Sequence, residues 1–314
     1  MNVSVALATH NGGRFLREQL ESIARQTLPP AEVVISDDAS TDETVAIAHG
    51  FAESAPFPVR VLRNDAALGA GANFIRAALA CHGDVVAFSD QDDVWAESKL
   101  ARCAPWFAEP QVQLVVHGWT IVDDDLRERG RHVPTQRVVE RLQAPKWGQA
   151  PGMAMTFRRS LLELRDWARR PPSHEPGRPL LHDEWVYGLG RVAGRIVFVG
   201  EALCLYRQHD ANVEGAPEKS LRRRAELFVQ LGEDYYAQRA LQADAWAELL
   251  DDLAPEEAAS YRRLAQAARN RAAVHGLRTL VRATQNGAYR ARTRDGFGVR
   301  GFVRDAARVA SRRT

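Results

Sequence analysis

Residues 3–9, VSVALAT, form a short apolar run rich in β-branched residues. The polar HNGG that follows gives way to Phe15, Leu16, Leu20 and Ile23 at helical spacing. This unit reads as strand, turn and amphipathic helix, and it recurs. EVVISDD at 32–38 reads as a second strand, and Ser40 with Glu43 three residues on makes a capping box that starts the next helix. VRVLRN at 59–64, a helix near 71–81 and DVVAFSD at 84–90 continue the alternation. Four strand–helix alternations in roughly a hundred residues predict a parallel sheet with helices on both faces. In such sheets ligands sit outside the carboxyl ends of the strands.

Further along, VQLVVHG (112–118), TIVDDD (120–125), GMAMTF (152–157), RIVFVG and ALCLYRQH read as strands. RRSLLELRDWA (158–168) and HDEWVYGLGRVA (182–193) read as helices, and a further helix is expected over 96–107. Residues 127–146 are polar without clear periodicity and are expected to be a loop or excursion. From about 219 onward the pattern is helix-rich with no strand signal.

Polar residues collect at the predicted strand ends. Thr9, His10 and Asn11 follow the first strand, Asp37 and Asp38 end the second, Asn64 ends the third, and Asp90, Asp92 and Asp93 follow the fourth. SDQDDVW (89–95) is the sharpest of these features. Two carboxylates at i and i+2 directly after a buried strand can share a divalent cation and the diphosphate it bridges, because hard oxygen ligands suit Mg²⁺ or Mn²⁺. No glycine-rich phosphate loop competes with it, since LGAGAN (68–73) lacks the third spaced glycine and does not follow the first strand. Asp38 and Thr9 are then free to hydrogen-bond a base and ribose.

Composition changes this picture little and charge distribution changes it more. The 314 residues are 45% hydrophobic and 26% charged, which excludes collagen-like, disordered and integral-membrane chains. Three well-separated cysteines make neither a disulfide framework nor a spaced zinc site. The N-terminus lacks a signal-peptide pattern, and no apolar run reaches the ~18 residues needed to span a bilayer. The formal charge of +2 conceals a segment at 269–314 of +10 on a remainder of −8. Such a tail suits an anionic partner, although 39 Arg against 3 Lys also fits an Arg-rich solvated helix face. The acidic body and the lack of a recognised module argue against nucleic acid.

ATHNGGRFLREQLESIARQ, VVISDDASTDET and VAFSDQDDVWAESKL resemble the nucleotide-binding half of family 2 inverting glycosyltransferases, and SDQDDVW is especially similar to the rhamnosyltransferase-like branch. APGMAMTFRRSLL, LHDEWVYGLG and ALCLYRQHDANVEG extend the resemblance over roughly residues 2–215. It implies an α/β fold, a GT-A Rossmann-like sheet with helices on both faces, followed by a helical C-terminal region. The implied division is a catalytic domain at 1–215, with a nucleotide-binding half at 1–118 and an acceptor half at 119–215, and a basic helical region at 216–314.

The same resemblance implies the site. Thr9, Asn11, Asp38, Asn73 and Asp90 bind the nucleotide-sugar, with Asp38 accepting from the base. Asp92 binds Mg²⁺ or Mn²⁺, and His209 completes the metal or diphosphate site. Asp183 of HDEW is the catalytic base, His182 its orienting neighbour, and Trp185 and Glu184 lie near the acceptor. Asp37 and Asp93 are read as structural caps, and Trp95 and Trp119 as core or cleft-wall aromatics. The implied reaction moves a sugar, best read as rhamnose from dTDP-rhamnose, to a polysaccharide or lipid-linked glycan at the cytoplasmic side of the cell membrane. A UDP-hexose donor, or nucleotide-sugar binding without transfer, are the alternatives. A single base opposite the leaving group gives one displacement with inversion.

Two features depart from the pattern, the residues after the fifth strand and the polar insert at 127–146, which has no assigned role, and the C-terminal region lies outside the matching motifs. VHGWTIVDDD carries His117 and Gly118 where relatives show a Ser-Asp pair. Near the C-terminus, Val299, Phe302, Val303, Ala306 and Val309 share one helical face and Arg300, Arg304 and Arg308 another. A basic amphipathic helix of that kind can lie on an anionic membrane or pack on protein.

Overall fold

The computed structural model describes residues 1–147, 150–173, 178–209 and 233–273, together with Ala306. The basic helix expected at 299–309 and the start of the helix-rich region at 219–232 lie outside these residues, Ala306 excepted. Chain contacts divide the molecule into one unit of Met1–Trp167 with Leu181–Gly215 and another of Ala168–Leu180 with Ala216–Thr314.

In the first unit the predicted alternation is realised as β1 (Val3–Thr9), α1 (Leu16–Ala24), β2 (Glu32–Asp37), α2 (Thr44–Ser54), β3 (Val59–Arg63), α3 (Ala70–Leu79) and β4 (Val85–Ser89). β5 (Val94–Trp95), α4 (Lys99–Cys103), β6 (Val112–Val122), β7 (Glu128–His132), β8 (Arg137–Val139), β9 (Met155–Arg158), α5 (Leu161–Leu164), α6 (His182–Ala193) and β10 (Arg195–Arg207) follow. The spine of the sheet has the order β3-β2-β1-β4-β9-β6-β10-β5. It is parallel from β3 to β4, as expected, but β9 runs antiparallel to both β4 and β6. Two reversals restore the direction, so β6 and the parallel β10 point the same way as β4.

Alternation along the strands decides the two faces. Val5, Leu7, Val33, Ile35, Val85 and Ala87 join Leu16, Leu20 and Ile23 of α1 in one buried cluster. On the opposite face Phe88 meets Phe74 of α3 edge-on at 5.4 Å and His182 of α6 at 4.8 Å. Each fully buried Leu or Ile contributes about 1.5–3 kcal/mol, and the odd–even split commits every strand to one register.

Six local expectations are corrected. The capping box fails: α2 begins at Thr44, because the Ser40 hydroxyl is taken by Asp37 and by the Asn11 amide, while Asp42 accepts from Thr44 N at 3.0 Å. Residues 112–118 and 120–125 form one strand through Gly118, where a Cβ would lie 2.5 Å from the His132 carbonyl of β7. RIVFVG and ALCLYRQH likewise merge into β10, which passes two register shifts between Val199 and Leu205. The polar excursion at 127–146 carries β7 and β8, paired to β6 and β10. The helix expected at 96–107 is only Lys99–Cys103 followed by a 3₁₀ turn, and the 158–168 helix shortens to Leu161–Leu164.

The second unit contains α7 (Glu233–Leu250) and α8 (Pro255–Ala272), which pack through Trp246 stacked 6.1 Å from Tyr261. Arg271 is buried against the Tyr236 ring at 4.2 Å and donates to its hydroxyl. Among the described residues, no helix is long and apolar enough to cross a membrane.

Candidate functional site

Because β1, β2, β4 and β10 share one direction, their carboxyl ends present Thr9, Asp37, Ser89 and Arg207 along one edge. The loop after β1 is fixed first. Asn11 adopts φ 47°, a left-handed conformation that asparagine tolerates, and its Oδ1 accepts from Thr41 N at 2.9 Å. Its own amide donates to the Ser40 hydroxyl at 2.8 Å. The His10 ring bonds the Asp38 carbonyl through Nδ1 at 2.7 Å, which makes Nδ1 the donor and leaves Nε2 to accept from Asn11 Nδ2 at 3.2 Å.

Asp38 organises the neighbouring loop. Its carboxylate accepts from Asn64 Nδ2 at 2.6 Å and from the backbone amides of Leu68 and Gly69 at 2.7 and 2.9 Å. Thr9 and Asn73, expected to line the nucleoside pocket, are each only 2% exposed. The Thr9 hydroxyl donates to Asp37 at 2.9 Å, and Asn73 Nδ2 donates to the Thr9 and Ser36 carbonyls at 3.2 and 2.8 Å. Both are therefore buried with these polar groups hydrogen-bonded within the chain, so neither presents them to a ligand as expected. Asp37 caps the turn as expected, accepting from Ser40 N at 2.9 Å.

The acidic loop after β4 gathers Asp90, Asp92 and Asp93. Burial, then the charges of Asp92 and Asp183, push Asp90 up to about 7. The charges of two sequence-distant motifs thus act on one carboxylate. Burial also raises Asp92, opposed by His209, whose Nε2 lies 2.9 Å from Asp92 Oδ2. Asp93 is fully buried and raised well above the usual range by burial and by its two acidic neighbours. It does not cap a helix: its Oδ1 accepts from Arg207 N at 3.2 Å, because the chain turns into β5 and not into a helix at that point.

Asp183 and Glu184 occupy the first turn of α6, where the helix dipole favours negative charge. Asp183 Oδ1 accepts from Glu184 N at 2.8 Å, and both side chains remain partly exposed. Trp185, expected beside the acceptor, is 1% exposed and packs edge-on against Trp167 at 5.9 Å. Its place on the helix turns it into the core, so that expectation is corrected. Trp95 is 3% exposed, in keeping with a core aromatic, and half-buried Trp119 stacks on His132 at 4.3 Å.

His182 stacks on Phe74 at 3.8 Å and fills the space where Gly152 has no side chain, since a Cβ there would lie 2.3 Å from Nε2. Among the described residues neither ring nitrogen has a hydrogen-bond partner, and burial lowers the imidazole to about 3. Such a histidine stabilises the fold fully above its unfolded value near 6.5, and the contribution is lost as pH falls toward 3, at up to ~1.4 kcal/mol per pH unit. Relative to His182→Phe, the unmodified protein is expected to lose roughly 2 kcal/mol between pH 6.5 and 5 in urea-unfolding experiments. A stability difference that does not change with pH would sink this assignment.

Three residues without an assigned role in the sequence complete the site. Lys99 is fully buried, donates to the Met153 carbonyl at 2.7 Å, and lies 3.5 Å from the Trp95 ring centre. Burial lowers it to about 8 against the opposing charges of Asp93 and Asp90. Arg207, 2% exposed, donates through Nε to the Asp92 carbonyl at 2.9 Å, through Nη1 to the Asp124 carbonyl and through Nη2 to Glu18. Its guanidinium covers the Phe15 ring at 4.3 Å, and His209 meets the same ring at 5.0 Å. Gln91, between the two metal-candidate aspartates, bonds the His10 backbone twice.

The sequence profile of Glycosyl transferase family 2 matches residues 4–165. This chain is a family 2 glycosyl transferase. A relative from Nostoc sp., an uncharacterized glycosyltransferase, is 30% identical over 223 residues, 68% of this chain and 66% of its own length. The dTDP-rhamnosyl transferase RfbG of Shigella flexneri is 28% identical over 221 residues, 67% of this chain and 74% of the relative. The chain spans 59 to 66% of the length of the first curated relatives it matches. Among solved structures, S. aureus TarS 1–349 in complex with UDP-GlcNAc superposes with a TM-score of 0.59 at 19% identity, covering 100% of this chain and 92% of that one. The family 2 assignment and this superposition agree on a GT-A fold.

Proposed function

We propose that this family 2 chain moves a sugar from a nucleoside diphosphate to a hydroxyl of a glycan acceptor, with inversion, and that Asp183 is the general base. The observation that carries this reading is that Asp90 is raised, beyond the effect of burial, by the charges of both Asp92 in its own loop after β4 and Asp183 at the start of α6. A leaving diphosphate needs positive charge on one side of the sugar, and an attacking hydroxyl needs a proton acceptor on the other.

On the nucleoside side, Asn11, His10 and Asp38 hold the base and ribose. The Asp38 carboxylate has about four acceptor positions, and three are filled by the chain. One is left for a base N–H. On the diphosphate side, Asp90, Asp92 and His209 suit Mg²⁺ or Mn²⁺. Among the described residues no group of three His, Cys, Asp or Glu side chains is placed to hold a metal ion, so an ion here would take one or two of these side chains and complete its shell with phosphate and water. When bound, the ion stabilises charge on the departing diphosphate. Glu184, one residue beyond the base and partly exposed, is placed to hydrogen-bond the acceptor.

The best reading of the donor is dTDP-rhamnose, supported by the likeness to the Shigella flexneri rhamnosyl transferase. The acceptor would be a polysaccharide or lipid-linked glycan, reached from the cytoplasmic face of the membrane. Residues 1–118 would serve the donor, 119–215 the acceptor, and 216–314 peripheral membrane contact. The fold shared with a UDP-GlcNAc complex favours a UDP-hexose as second reading.

Thermal unfolding with dTDP-rhamnose, UDP-glucose, UDP-galactose, UDP-N-acetylglucosamine and GDP-mannose, each with and without Mn²⁺, tests the proposal. At 100-fold saturation the correct donor is expected to add ~2.7 kcal/mol. A metal-dependent shift with a UDP-sugar alone moves the donor to the second reading. No shift with any donor sinks the transferase reading.

A further inference from the structure

We propose that Gln91 is a positioning residue that clamps the nucleoside loop to the acidic loop, and so fixes the span between the base and diphosphate ends of the donor site. The proposal rests on the donor reading above and adds to it a residue that touches neither base nor acceptor. Gln91 Oε1 accepts from His10 N at 2.8 Å, and Gln91 Nε2 donates to His10 O at 3.1 Å. One side-chain amide thus satisfies both polar groups of one peptide residue, as a neighbouring strand would.

The chain makes room for this clamp. A Cβ at Gly12 would lie 2.2 Å from Gln91 Oε1 and 2.5 Å from Gln91 Cδ. Gly12 lies outside the left-handed region, so its backbone accepts alanine, and the three atoms nearest an added Cβ all belong to the Gln91 side chain, which would have to leave the clamp. Beyond the clamp, His10 continues through its ring to the Asp38 carbonyl, and Asn11 continues to Ser40 and Thr41. On the other side Gln91 lies between Asp90 and Asp92 in the chain, and Asp92 bonds His209. Movement of the acidic loop is therefore transmitted to the residues that face the nucleoside, through two hydrogen bonds.

A nucleoside diphosphate sugar has a fixed distance between its base and its phosphates. A site whose two ends float independently loses affinity without losing either contact. Gln91→Ala is expected to weaken UDP and dTDP binding, measured by calorimetry with Mn²⁺ and again without it, at least tenfold in both conditions. In turnover, the donor KM should rise by a larger factor than kcat falls, which separates positioning from damage to the base. Gly12→Ala provides the second arm. It is expected to lower Tm by about 4 °C or more in the native background and by less than about 1 °C when Gln91 is already alanine.

Unchanged nucleotide affinity in Gln91→Ala overturns the proposal, as does a Gly12→Ala penalty of equal size in both backgrounds. If the native protein binds neither nucleotide with or without Mn²⁺, the donor reading fails instead. The stability cycle needs no ligand and still reads the clamp in that case.

Discussion

Asp183→Asn is expected to lower kcat by ~10²–10⁴, the range for losing a positioned general base. The affinity for the nucleotide-sugar should stay within about threefold, since the proposed donor contacts lie on the loops after β1, β2 and β4. The substitution preserves shape and keeps an acceptor oxygen for the Glu184 amide, which Asp183 now satisfies at 2.8 Å. It also removes one of the two carboxylates that raise Asp90, so damage to folding is not the expected outcome. Steady-state transfer assays alongside calorimetric donor binding separate the two effects. A protein that binds donor but is equally inert before and after the change would favour binding without transfer.

The second large effect is expected at Arg207. Its guanidinium reaches Asp92, Asp124 and Glu18 and lies on Phe15, so truncation to leucine removes the donor from three acceptors at once. Glu18 is 43% exposed and can rehydrate, but the carbonyl of Asp92 belongs to the acidic loop itself. Hydrogen bonds involving charged groups are worth about 1.5–3 kcal/mol each, and part of that is recovered from water. Arg207→Leu should therefore cost roughly 3 kcal/mol of stability by denaturant unfolding, with transfer reduced beyond what the stability loss explains. Arg207→Lys should recover less than half, because an ammonium cannot span the three directions of the fork. A Leu variant within 0.5 kcal/mol of the parent, roughly the usual range for surface changes, would refute this role.

What was legible in the sequence follows physical range. The strand–helix alternation, the β1–β4 parallel half and the acidic residues after β4 depend on local periodicity and were readable. Asp90 and Asp92 were placed by the strand before them, and Asp183 by its motif at a helix start. The capping box at Ser40 was a sound local reading defeated by tertiary competition, since Asp37 and Asn11 claim the hydroxyl. Gly118 and Gly200 resemble strand breakers. They instead allow close approach, of the β7 backbone at Gly118 and of Gln136 at Gly200. Trp185 was misplaced because its motif gives a neighbourhood, whereas the helical phase decides which way the ring turns. Gln91, Lys99 and Arg207 stayed silent because each acts on a segment distant in sequence. Only Arg207 left a faint signal, as a cation two residues before the motif histidine at the end of a strand.

The hydrogen bonds that tie Asn11 to Ser40 and Thr41, and Asp38 to Asn64, Leu68 and Gly69, have a thermodynamic corollary. These loops are ordered by folding itself. A ligand that arrives there is spared the ~0.5–1.5 kcal/mol that each rotamer-rich side chain would otherwise forfeit on being immobilised. Rigidity of this kind also limits versatility, since a wall that cannot yield rejects a base of the wrong outline by steric conflict. On the proposed donor reading, a change of nucleotide preference would then require re-routing the loops after β1 and β2 together, and a single exchanged contact would not suffice.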